Sequence, residues 1–211
     1  MEESTSNRAE LRKHIIEAAT QAFHTNGIKS VTMDDIAHLL RMSKRTLYQL
    51  FHDKEELVLA CFLNRANEDR KFFESLVQTS NNVLEVVLQI YAYKVEEMSA
   101  INPAFFADIF KFPRVLDYQY RRMLGDIKQG VEFMNRGIEQ GLFRSDVDFN
   151  IVIPYMQPKQ GVAVNRELFP ECPISHYIQN TLLIVLRGCC TQKGAVVIDE
   201  FLEKRRHQAE A

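Results

Sequence analysis

The stretch that decides the fold reads Thr32-Met33-Asp34-Asp35-Ile36-Ala37-His38-Leu39-Leu40-Arg41-Met42-Ser43-Lys44-Arg45-Thr46-Leu47-Tyr48-Gln49-Leu50-Phe51. It holds two short helical patterns, each opened by a hydroxyl residue. Thr32 is placed as an N-cap with Asp35 three residues on as the acid of a capping box, and Met33, Ile36, Ala37 and Leu40 share one face. Ser43 caps the second pattern, in which Leu47, Leu50 and Phe51 point to a core while Lys44, Arg45, Thr46, Tyr48 and Gln49 lie toward other sides. Arg41-Met42 remains as a tight turn between them. Two short helices joined by such a turn form a helix-turn-helix, whose second helix can enter the major groove of DNA.

The flanks supply the rest of a small domain. From Arg8 to Asn26 the apolar residues Leu11, Ile15, Ala18, Ala19, Ala22 and Phe23 recur at helical spacing, and Asn26-Gly27 supplies a left-handed stop. Beyond the motif, Asp53 and Glu56 form an Asp-x-x-Glu box ahead of Leu57, Ala60 and Cys61. No proline precedes Pro103 and Gly27 is the only glycine before Gly125, so little obstructs helix in the first hundred residues. Later punctuation falls at Asn102-Pro103, Phe112-Pro113, Gly141, Pro154, Pro158 and Pro170 to Pro173. With neither a strand-period segment nor an internal repeat, the chain reads as all-α. Ile174 to Arg187 is apolar on most sides and needs cover on more than one face, which a partner subunit can give.

Charge and composition narrow the function classes. The 211 residues carry 26 basic and 28 acidic side chains, a net charge of −2, which argues against coating nucleic acid by bulk electrostatics. Any DNA contact must rest on local positive charge. Arg41, Lys44, Arg45 and Lys54 supply it, in the stretch 41–54 whose only acid is Asp53. The polar residues Met1 to Asn7 lack the apolar run of a signal peptide, and no stretch reaches the length of a membrane span, so a cytoplasmic protein is expected. Cys61, Cys172, Cys189 and Cys190 form no C-x-x-C pair and read as reduced thiols. No nucleotide, phosphate or hydrolase motif is present, and the six histidines form no ligand-spaced cluster. An enzyme, a metal site and a bound cofactor are therefore not expected.

Within the motif the labour divides. Leu47 and Phe51 anchor the second helix, and Lys44 and Arg45 occupy its first turn, where an arginine can give a bidentate pair to guanine. Backbone amides at the starts of this helix and the next, with Thr32, Ser43, Tyr48, His52 and Lys54, are candidates to hold phosphates.

The runs Thr32-Met33-Asp34-Asp35-Ile36-Ala37, Met42-Ser43-Lys44-Arg45-Thr46-Leu47-Tyr48 and Phe51-His52-Asp53-Lys54-Glu55-Glu56-Leu57 together resemble the DNA-binding domain of the TetR family of transcriptional regulators, over about residues 8 to 62. The resemblance implies a three-helix DNA-reading domain over residues 1–62, with its motif at about 31–51, and a C-terminal helical domain over 63–211 that binds an effector and dimerises. It places Ser43, Lys44, Arg45, Thr46, Tyr48, Gln49 and Lys54 at positions from which family members contact DNA. Three positions depart from the family pattern: Arg41 stands where the turn usually has glycine, Arg45 where a small residue is common, and Asp34 where many members are basic.

The implied partners are a double-stranded palindromic operator, a second copy of the chain and a small-molecule effector, with repression as the family default. An activator, or an adaptor that binds protein with the same fold, stands as the alternative. Phe105, Phe106, Phe110, Tyr118, Phe133 and Tyr155 are the candidate pocket aromatics, although a plain core uses the same residue types. Gly141-Leu142-Phe143-Arg144, with Asp146 and Asp148, resembles the turn before the family's penultimate long helix. On that reading, helices near Ile151 to Arg166 and Ile174 to Cys190 pair with their symmetry mates.

Overall fold

The computed structural model describes residues 2–155, 172 and 174–210. Their helices are α1 (Glu2–Asn26), α2 (Met33–Leu39), α3 (Lys44–Leu50), α4 (Lys54–Thr79), α5 (Val83–Ala100), α6 (Pro103–Ile109), α7 (Pro113–Glu139), α8 (Phe149–Tyr155), α9 (Ile174–Cys189) and α10 (Gln192–Glu210). One isolated antiparallel bridge, Phe143 to Cys190, is the only β pairing among the described residues. None of these helices is long and apolar enough to cross a membrane. The first helix starts before Arg8, because Glu2 to Asn7 continue it as a polar turn or two. The stretch expected to reach Arg166 is described only as far as Tyr155, with Pro154 inside α8, and the remainder lies outside the described residues.

The chain divides into two compact units, Met1–Arg70 with Ala100–Arg121, and Lys71–Ser99 with Arg122–Ala211. The first unit is organised around Ile15, Phe23, Ile28, Ile36, Leu47, Phe51, Leu57 and Val58, all buried. Each such side chain removed from water contributes about 1.5–3 kcal/mol before cavity costs. The unit also takes in α6 and the start of α7, which a boundary drawn at residue 62 leaves out.

The reason lies in the loop after α1. Gly27 adopts φ +81°, and a Cβ built on it would stand 2.9 Å from the Ala104 Cβ, so only glycine admits this approach of α6. Asn102 caps α6 through Ala104 N–H, donates its backbone N–H to the His24 carbonyl at 2.8 Å and its side-chain amide to the Thr25 carbonyl at 3.0 Å. Phe105 then packs edge-on to His24 and stacks on Phe62.

In the second unit Leu84, Leu88, Phe143, Phe149 and Ile198 are the most deeply buried large side chains. The Gly141 turn (φ +69°) ends α7 and delivers Leu142 and Phe143 to this core. Arg144 N–H donates to the Cys189 carbonyl at 2.9 Å, Thr191 N–H to the Leu142 carbonyl at 3.0 Å, and the Arg144 guanidinium pairs with Asp146 at 2.6 Å. The Gly-Leu-Phe-Arg segment thus pins the end of α9. Cys61, Cys189 and Cys190 carry unbridged thiols, and burial pushes those of Cys61 and Cys190 up to about 11.

Candidate nucleic-acid interface

α2 opens with the full capping box: Thr32 Oγ1 accepts from Asp35 N–H at 3.1 Å, and the Asp35 carboxylate accepts from Thr32 N–H at 2.8 Å. These contacts hold the Asp35 carboxyl below its usual range. Met33, Ile36 and Ala37 are buried, so the short helix is fixed by one cap and one apolar face.

The turn that follows is a Schellman motif. Arg41 N–H donates to the His38 carbonyl and Met42 N–H to the Ala37 carbonyl, each at 3.0 Å. Arg41 sits at the left-handed position with φ +52°, the only non-glycine residue with positive φ among the described residues. The departure noted in the sequence therefore leaves the turn geometry intact and places the strain on Arg41.

Ser43 caps α3, accepting from Thr46 N–H at 3.1 Å with the two hydroxyls 2.8 Å apart. Leu47 and Phe51 are fully buried and clamp α3 to the core, while Lys44, Arg45, Tyr48 and Gln49 are exposed. Arg45 has no hydrogen-bond or ion-pair partner among the described residues. The first turn of α3 has no acid, whereas those of α2 and α4 carry two each. Of these three helix starts, that of α3 alone carries no acid of its own to offset its positive end.

Asp53 caps Glu56 N–H at 2.7 Å, Glu56 accepts from His52 N–H at 2.8 Å, and Glu55 accepts from Arg114 N–H at 2.8 Å. The Asp53 and Glu56 carboxylates thus take backbone amides at the start of α4, while that of Glu55 turns to the start of α7. Lys54 is half-buried with its ammonium donating to the Lys29 carbonyl at 3.3 Å, and burial lowers its pKa. The His52 side chain is exposed.

Three features had no simple signature in the sequence. The Arg12 guanidinium lies 4.8 Å from the centroid of the Phe51 ring, and Arg8 donates to the Gln49 carbonyl at 3.3 Å, which brings the basic start of α1 to the end of α3. Lys44 Nζ stands 2.5 Å from Asp34 Oδ2 across the turn. Periodicity reports neighbours within one helix and does not pair residues ten apart across a turn.

The six candidate pocket aromatics do not form one cluster. Phe105 and Phe106 belong to the core of the first unit, Phe110 is 56% exposed, and Tyr118 is part-buried in that same unit. Phe133 is buried in the core of the second unit against Phe73, and the Tyr155 side chain lies outside the described residues. Phe105 is carried by α6 onto His24 of α1 and Phe62 of α4. Among the described residues no group of His, Cys, Asp and Glu is arranged to hold a metal ion.

Residues 15–61 match the model of the bacterial regulatory proteins of the tetR family. The HTH-type transcriptional repressor KstR2 of Mycobacterium tuberculosis is 27% identical over 192 residues, covering 87% of this chain and 94% of its own. Its solved structure, described as a ketosteroid transcriptional regulator, aligns with a TM-score of 0.57 at 25% identity, over 86% of this chain and 95% of that one. A TetR-family regulator from Cytophaga hutchinsonii shares the fold at a TM-score of 0.68 and 18% identity, over 88% and 98% of the two chains. So does Thermus thermophilus FadR, a repressor solved with lauroyl-CoA, at a TM-score of 0.57 and 17% identity, over 84% and 94%. The capped and anchored α3 and these likenesses agree on one assignment: over residues 15–61 the chain carries the DNA-binding domain of the bacterial regulatory proteins of the tetR family.

Proposed function

We propose that the chain acts as a homodimeric repressor that sets two copies of α3 into successive major grooves of a palindromic operator and is released by a small-molecule effector. The observation that carries the reading is the exposed face of α3. Lys44, Arg45, Tyr48 and Gln49 project from a helix held by the fully buried Leu47 and Phe51. Arg45 offers the donor fork that matches guanine O6 and N7, and Thr32, Ser43, Thr46, Tyr48, His52 and Lys54 are assigned to phosphate positioning.

Dimerisation falls to the second unit. Ile184 on α9 and Ile151 on α8 are each 70% exposed, and large aliphatic side chains left in water favour an isologous contact that covers them. Repression is supported by the likeness to KstR2. A ketosteroid-like apolar molecule is the first effector class to test, since KstR2 is described as a ketosteroid regulator. An effector that prefers dimers whose two α3 helices are wrongly spaced opposes DNA binding by linkage.

The test is selection of bound duplexes from random DNA with the full chain, repeated with ketosteroids and acyl-CoA thioesters present. Enrichment of a palindrome with half-sites about one helical turn apart, released by one of these compounds, is the expected result. Recovery of no palindrome overturns the proposal.

A further inference from the structure

Asp34 and Lys44 meet at the edge of the surface assigned to DNA. Asp34 is the second residue of α2 and Lys44 the first of α3, and both side chains are solvent-exposed while their charged atoms stand 2.5 Å apart. The neighbouring acid, Asp35, is committed to the Thr32 cap. Asp34 has no such duty, so its carboxylate is free to engage the ammonium. The pair cancels one positive charge in the first turn of the reading helix and leaves Arg45 beside it unpaired.

We propose that Asp34 is a specificity-determining residue: it holds the Lys44 ammonium back from DNA phosphates, so that sequence-independent binding loses one cation per protomer and discrimination falls to Arg45. The proposal rests on the DNA-reading role of α3 given above. Sequence-independent affinity comes from phosphates neutralised and counterions released, each neutralised phosphate adding about 0.9 to the salt slope on duplex DNA. A carboxylate beside the approaching backbone both occupies the ammonium and repels the phosphate. An exposed pair is weak enough to open when a correctly placed base rewards it. The device thus acts mainly on wrong sequences, by repulsion as much as by withholding attraction.

The experiment titrates full-length wild type, Asp34→Asn, Lys44→Ala and the double variant against the selected operator and a scrambled duplex at several salt concentrations. Thermal unfolding runs in parallel, and the intact Thr32–Asp35 box keeps α2 capped in every variant. Asp34→Asn is expected to bind the scrambled duplex several-fold more tightly, with a salt slope steeper by about 0.9 per protomer. The operator gains less, so the ratio of the two affinities falls. Lys44→Ala alone is expected to leave the scrambled slope unchanged, and in the Asp34→Asn background to return it to the wild-type value.

An unchanged scrambled affinity and slope in Asp34→Asn overturns the proposal. So does loss of operator affinity alone, which makes Asp34 a direct base contact, or an equal effect of Lys44→Ala in both backgrounds. A wild type that never prefers the operator overturns the regulator reading itself, and that failure is separate because the scrambled arms still report on the ion pair.

Discussion

The Asp108 carboxylate accepts the Lys29 backbone N–H at 2.7 Å, which ties α6 to the loop leading into α2. Asp108 is the one charged side chain buried among the described residues, and the Lys111 ammonium meets its other oxygen at 2.7 Å. Burial alone pushes this carboxyl up, but the bonds from Lys111 and Lys29 outweigh it and hold the group below its usual value. Asp108→Ala leaves a partly buried N–H without its acceptor and is expected to cost about 2 kcal/mol in denaturant unfolding.

The same residue predicts a pH dependence. The group is depressed in the folded chain, so the unfolded chain binds its proton first as pH falls. The contribution of Asp108 is complete above the ordinary value of about 3.9 and is lost as pH drops through the lower folded value. Asp108→Asn is expected to flatten that part of the acid limb in urea midpoints measured against pH. An unchanged acid limb assigns the slope to other carboxylates.

Arg41 holds φ +52° at the C′ position of the α2 Schellman turn, where a Cβ is unfavourable. Arg41→Gly is expected to raise stability by about 0.5–1 kcal/mol, the relief of left-handed strain less the added freedom of glycine when unfolded. Operator affinity measured on the same variant separates strain from charge. Tighter folding with weaker DNA binding shows that the guanidinium serves the interface, and equal DNA binding shows that it does not.

What the sequence disclosed, and what it withheld, follows from the range of the forces involved. Thr32, Asp35, Ser43 and Asp53 act over three residues, so their caps are visible in a linear reading and all four are made. Leu47 and Phe51 were legible because a helical face sorts apolar from polar. The Asp34–Lys44 pair, the Arg12–Phe51 contact and the Asp108–Lys29 bond span 10, 39 and 79 residues, and no local period encodes them. Phe105 shows the same limit: its aromatic character announced burial but not which core would receive it.

Ile184 is 70% exposed although its neighbours Leu183 and Leu186 contribute to the core of the second unit. Its side chain thus points away from the packing that fixes α9. If a partner covers it, Ile184→Asp places a charge in a dry contact and is expected to convert the dimer to monomer in sedimentation. Operator binding is then expected to become strongly concentration-dependent, while the far-ultraviolet helix signal stays unchanged. A variant that remains dimeric assigns the interface to another face.

Arg45 supplies the sharpest test of base reading, because it is exposed, unpaired among the described residues and two residues after the cap of α3. A guanidinium that reads guanine contributes about 1–3 kcal/mol at one base pair, so Arg45→Ala is expected to lose that much per half-site and to relax selection at a single symmetric position. Arg45→Lys keeps the charge but not the two-pronged geometry, and should restore the salt slope without restoring the base preference. If Arg45→Lys recovers the preference in full, the residue contributes only charge. If Arg45→Ala weakens binding to every sequence equally, the side chain lies on phosphate, and the base contacts must come from Lys44, Tyr48 or Gln49.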